Sequence, residues 1–177
     1  MKTLGLLRHA KADLDDAGVR DFDRGLSDRG KRGAALIGRA MADHGVRWGL
    51  IVASPAERVR RTLDASGLPG EPRFDERVYL ADAATLVEVL RAAPGNPASV
   101  LLAGHNPGLH ELLFRLVDPD DESPLVAQAY DKFPTAAFAL LELAIDDWAS
   151  LAPGCGELIR FIRPRDLDPT LGPERGR

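Results

Sequence analysis

Residues 6–13 read LLRHAKAD. The run Leu4-Gly5-Leu6-Leu7 has the continuous apolar character of a buried strand, yet it stops on two residues that can both carry positive charge, Arg8 and His9. The same local pattern occurs twice more. Ala53-Ser54-Pro55-Ala56-Glu57-Arg58 and Ala103-Gly104-His105-Asn106-Pro107 each follow an apolar run, turn polar, and open a helix. In open α/β sheets the carboxyl ends of parallel strands converge on the binding crevice. If these three strands are parallel neighbours, Arg8, His9, Arg58 and His105 meet there.

Working outward, strands are expected at Thr3–Leu7, Trp48–Ala53, Ser99–Ala103, Ala136–Ile145 and Glu157–Ile162. Ser27 is placed to cap a helix running to about His44. Ser54-Pro55-Ala56-Glu57 has the form of a capping box with proline at the first helical position. Asp82 opens a third helix with Leu86, Val87 and Leu90 on one face. Asn106-Pro107 opens a fourth, in which Leu109, Leu112, Leu113, Leu116 and Val117 form an apolar stripe. The alternation of strand and helix implies an α/β fold, a three-layer α/β/α sandwich with a mostly parallel central sheet. Asp118 to Pro124 reads as an acidic loop. One domain is expected over residues 1–163, with 164–177 a loosely attached tail.

The 177 residues suffice for one core without disulfides, and the single Cys155 suits a reducing, cytoplasmic setting. No apolar stretch approaches the roughly 20 residues that span a bilayer. A net charge of −4 gives no general attraction for nucleic acid or for an anionic membrane, so local positive charge has to be judged by position.

Two arginines offer fixed donors suited to the oxygens of a phosphoryl group, and backbone N–H groups of the helix after Asn106 add to them. A neutral histidine in such a group can attack phosphorus, and a second one, protonated, would stabilise charge on the equatorial oxygens. Neither step calls for a cofactor. A metal site built from His9, His105 and His110 is disfavoured, since the arginines would repel a cation and no carboxylate or thiolate balances them. His44 and His110 read as structural, Cys155 as a small filler between glycines, and Arg60 as surface. Arg61 either borders the pocket or is surface, and Lys11 either adds charge at the rim or is solvated.

These segments resemble the histidine phosphatase superfamily. Leu7-Arg8-His9-Ala10 is similar to its RHG/RHA signature, and the order of LLRHAKAD, DFDRGLSDRGKRGA (21–34), IVASPAERVRRT (51–62), DERVYL (75–80) and VLLAGHNPGL (100–109) is similar to its small SixA-like, phosphohistidine phosphatase branch. The resemblance implies a phosphoglycerate mutase-like fold and a phosphatase that works without metal through a phosphohistidine intermediate. In its terms His9 is the nucleophile, Arg8 and Arg58 bind phosphate, and His105 completes the pocket. Asn106 contributes by its N–H or its cap, and Arg24 lies in a segment over the pocket mouth. The position after His105, where many relatives carry an acid, is Asn106, which leaves Glu76 as the possible general acid. The implied substrate is phosphohistidine on a protein, with small phosphate esters as the alternative. A non-catalytic phosphate-binding module is the remaining reading. Phosphate-like oxyanions should inhibit.

Overall fold

In the computed structural model, which describes residues 1–14 and 18–173, six strands form one sheet in the order β3-β2-β4-β1-β5-β6. They are β1 (Lys2–Arg8), β2 (Leu50–Ala53), β3 (Arg73–Phe74), β4 (Ser99–Gly104), β5 (Phe138–Leu143) and β6 (Gly156–Ile162). The first four are mutually parallel, while β5 runs antiparallel to β1, and β6 antiparallel to β5. Helices cover both faces, as the sequence pattern implies. On one side α1 (Asp28–His44) and α2 (Glu57–Ser66) contribute Ala34, Ile37, Met41, Val59 and Leu63 to a core with Leu7, Ile51 and Leu101. On the other, α3 (Ala83–Arg91), α4 (Gly108–Leu116) and α5 (Pro124–Asp131) pack on Leu4, Leu6, Val100 and Leu102. Burial of both faces explains why the strands read as unbroken apolar runs rather than alternating ones.

Register matters most for the site. Arg8 stands opposite Gly104, and Ala103 opposite Ala53, so β1, β4 and β2 end at one level. The residues that follow each strand are therefore delivered side by side.

Several local expectations hold. Ser27 caps α1, accepting from the Gly30 N–H at 3.0 Å, and Asp82 caps α3 through the Thr85 N–H at 2.8 Å. The α4 stripe Leu109, Leu112, Leu113 and Leu116 is fully buried. Others differ. Ser54 does not close a capping box: α2 begins at Glu57, and the Ser54 hydroxyl is buried against a histidine. Similarly, α4 begins at Gly108 rather than at Asn106, and the Asn106–Pro107 peptide is cis. The acidic loop ends sooner than expected, because Ser123 accepts from the Val126 N–H and Pro124 opens α5.

Residues 164–173 correct the expectation of a loose tail over that stretch. Residues Pro164–Leu167 form α6, with Pro164 buried beside Gly33 of α1. Arg32 donates to Thr170 Oγ1 at 2.7 Å and pairs with Asp168 at 3.4 Å, and Arg29 donates to the Gly172 carbonyl. Helix α1 thus offers this segment both an apolar seat and two cations. Residues 174–177, part of the same expectation, lie outside the described residues. Among the described residues no helix is long and apolar enough to cross a membrane.

The α1–α2 contact is closest at Gly38, where an added Cβ would stand 2.0 Å from the Ser66 carbonyl oxygen. Gly38→Ala should therefore lower stability by about 2–3 kcal/mol through forced separation of the helices, read as a lower denaturation midpoint.

Candidate active site

The turn after β1 is fixed from three directions. The His9 N–H donates to the Gly104 carbonyl at 3.1 Å, its own carbonyl accepts from Ala136 N–H at 2.9 Å, and the Ala10 N–H donates to Thr62 Oγ1 at 2.9 Å. Thr62 in turn donates to the Arg58 carbonyl at 2.6 Å, which ties the β1 turn to the first turns of α2. Ala136 holds its bond from a left-handed conformation, φ 59°.

Around this turn the structure brings together Arg8, His9, Arg58 and His105. The two imidazole centroids lie 5.4 Å apart. His9 Nδ1 is 2.7 Å from the Ala10 carbonyl, which can only accept, so Nδ1 carries the proton. The Nε2 lone pair is left without a partner among the described residues. His105 is oriented the opposite way. Arg58 Nη2 is 3.3 Å from His105 Nδ1 and can only donate, so Nδ1 accepts and Nε2 donates to Ser54 Oγ at 2.7 Å.

Both rings are pushed toward neutrality. The pKa of His9 falls from 6.5 to about 4, first through burial and then through the Arg8 and Arg58 cations, against the opposing pull of the Ala10 carbonyl and Asp21. That of His105, which is 3% exposed, falls to about 3 through burial, then His9 and Arg58. In the free pocket His105 is therefore neutral, since it accepts from one cation and is buried among others.

The arginines are anchored by acceptors. Arg8 Nη1 donates to the Phe133 carbonyl at 3.1 Å, an acceptor shared with Asn106 Nδ2 at 2.8 Å. Burial and then the nearby Arg58 lower the Arg8 pKa. Asn106 Oδ1 accepts from the His110 N–H at 3.2 Å, so the side chain spans the start of α4. Arg58, 5% exposed, donates to the Asp21 carbonyl at 2.8 Å and to its carboxylate at 3.1 Å. Tyr79 Oη donates to the same carboxylate at 2.6 Å and sets its ring edge-on to His105, centroids 5.5 Å apart. The Tyr79 hydroxyl is the first cause, and Arg58 the next favourable one, holding Asp21 below the ordinary carboxylate value.

Asp21, Tyr79 and Ser54 escaped the sequence reading as pocket residues. Asp21 and Tyr79 lie within two of the segments quoted above, so position pointed to them although residue type did not. Glu76 starts the same single turn as Tyr79 but is exposed, and no hydrogen bond or ion pair joins it to either histidine. Arg24 is half-buried near Asp21, with its Nε buried and unpartnered. Arg61 pairs with Glu57 at 2.8 Å and lies against Gly25, so it packs on the segment that carries Asp21 and Arg24. His110 donates to the Ala129 carbonyl at 2.8 Å and meets Phe114 edge-on and Phe133 at a tilt.

A half-buried histidine whose lone pair has no partner among the described residues, set beside two guanidinium groups, suits transfer of a phosphoryl group, and it defines a class of protein. The sequence profile of the histidine phosphatase superfamily (branch 1) matches residues 4–79. The chain is 34% identical to the Mycobacterium tuberculosis protein Rv1276c over 160 residues, which span 90% of this chain and all of that one. Two solved structures named as phosphohistidine phosphatase SixA are similar. That from Nakamurella multipartitia has a TM-score of 0.82 and 30% identity, covering 92% of this chain and 96% of that one. That from Agrobacterium tumefaciens has 0.74 and 33%, covering 92% and 98%. The chain belongs to the histidine phosphatase superfamily, in its SixA-like branch, and is a phosphatase of that class.

Nitrogen chemical shifts should report Nδ1–H for His9 and Nε2–H for His105, and neither ring should titrate between pH 8 and about 5, below the ordinary histidine value. The unfolded chain protonates both near 6.5, while the folded one waits until about 4 and 3. The unfolded state therefore binds more protons across that interval, and stability falls as pH drops through it. Midpoints near 6.5 for either ring would contradict the burial and cation effects that keep it neutral, and the reverse proton positions would contradict the hydrogen-bond assignment.

Proposed function

We propose that the protein hydrolyses phosphohistidine on a partner protein through a phosphorylated His9. The observation that carries this reading is the His9 imidazole, neutral, with Nδ1–H on the Ala10 carbonyl and the Nε2 lone pair facing the pocket of Arg8, Arg58 and His105. Nε2 attacks phosphorus, a new N–P bond forms, and the bond from phosphorus to the leaving nitrogen breaks. The enzyme ring becomes a phosphoimidazolium that keeps its proton on Nδ1, still donated to the Ala10 carbonyl. Water then attacks phosphorus, the electron pair returns to Nε2, and the water proton leaves with phosphate or to solvent. The two guanidinium groups meet the charge that spreads over the equatorial oxygens, so the chemistry asks for no metal.

A leaving group that is itself an imidazole, protonated on its far nitrogen, departs neutral. That removes the need for a strong general acid and agrees with the exposed place of Glu76. The substrate assignment draws support from the SixA names of the similar structures and from the limited cover over the pocket among the described residues, where one short turn, Asp21–Asp23, reaches Arg58.

His9→Ala should abolish hydrolysis of phenyl phosphate while leaving the fold intact, a loss of at least ~10³-fold. Acid-labile, alkali-stable phosphate should be trapped on His9 of the unsubstituted enzyme. Activity that survives in His9→Ala would defeat the assignment. Vanadate, able to adopt five-coordinate geometry, should inhibit more strongly than phosphate. Rates on a phosphohistidine-bearing protein should exceed those on sugar and nucleotide phosphates; the reverse order would move the substrate to small phosphate esters.

A further inference from the structure

A second cavity of about 300 Å³ lies between the start of α1, the turn at residues 132–136 and the C-terminal segment. Its wall carries Arg8, Lys11, Arg29, Lys132, Arg163 and Arg165, and no Asp or Glu lines it among the described residues. Such a concentration of cations is unexpected in a chain of net charge −4. Arg8 belongs to this wall and to the catalytic pocket, so the two spaces adjoin.

The cations are not equivalent. Arg163 is committed to Asp166 through bonds of 2.8 and 3.0 Å, and Arg29 donates to the Gly172 carbonyl. Arg165, by contrast, makes no side-chain hydrogen bond to the described residues, and its Nε is buried without a partner. The Nε of Arg8 is buried and unpartnered as well. Lys132 is exposed and its ammonium group is likewise unbonded among the described residues. A charged donor removed from water without an acceptor is costly, and an oxyanion supplies several acceptors at once. The volume is at the small end of ligand sites, enough for one anionic group and a few connecting atoms.

We propose that this cavity is a second anion site, which receives a phosphate or carboxylate group of the same substrate whose phosphoryl group faces His9. The proposal rests on the phosphatase reading for its kinetic consequence, but not for binding itself. Specificity would then come from spacing: a substrate must carry a second anion at the distance that separates His9 from Arg165 and Lys132, across Arg8.

Calorimetric titration of the full chain with inorganic phosphate should find two sites, and the double variant Lys132→Gln, Arg165→Gln should retain one. This readout needs no turnover, so it stands even if His9 proves not to carry the phosphoryl group. In kinetics, the double variant should hydrolyse phenyl phosphate as the unsubstituted enzyme does. Its KM should rise about tenfold for substrates with a second anion. Fructose 1,6-bisphosphate and 3-phosphoglycerate test a small molecule, and a phosphohistidine peptide flanked by aspartates tests an acidic protein segment; a loss confined to one set identifies the source. A single phosphate site in the unsubstituted protein, an equal loss on phenyl phosphate, or no loss on any doubly charged substrate would overturn the proposal.

Discussion

The common level at which β1, β4 and β2 end is the constraint on which the pocket depends. Each strand is covered by helices on both faces, and the runs that lead to this level, residues 4–7, 50–53 and 100–103, are apolar. Polar side chains become affordable only past that line. Because Arg8, Gly104 and Ala53 reach it side by side, the next residues of three distant segments share one small volume. A one-residue slip of β1 would turn Leu7 away from its core and displace His9 together with it.

Concentrating cations beside two histidines in a poorly solvated space is unfavourable, and the structure answers with neutral rings and carbonyl anchors. Burial and the neighbouring arginines keep both rings uncharged, and each ring is oriented by a different partner, a carbonyl for His9 and a guanidinium for His105. Among the described residues Asp21 supplies the one carboxylate hydrogen-bonded to Arg58, and Tyr79 fixes that carboxylate. The positive potential is thereby confined to the arginines, whose geometry matches a tetrahedral anion.

Much of this was legible beforehand. The three strand ends, the caps at Ser27 and Asp82 and the α4 stripe follow from apolar runs and local capping chemistry, which act over a few residues. The joint presence of Arg8, His9, Arg58 and His105 was legible because each sits at such an end. Ser54 misled because a serine before proline and glutamate has the form of a cap, whereas here a histidine from 51 positions away claims its hydroxyl. Asp21 and Tyr79 were hidden for the same reason: their roles exist only between segments. The 164–173 stretch looked loose because its prolines and charges suit solvent as well as they suit a ready-made seat on α1.

Ala136 carries a further consequence. Its left-handed backbone costs of order 1 kcal/mol for a residue with a Cβ, and the N–H it presents is the one that holds the His9 carbonyl. Glycine would relieve that strain, yet it would also enlarge the set of conformations open to the turn behind the histidine. The position therefore sets stability and precision against each other, and improvement of the fold at Ala136 is paid in the sharpness with which the attacking nitrogen is aimed.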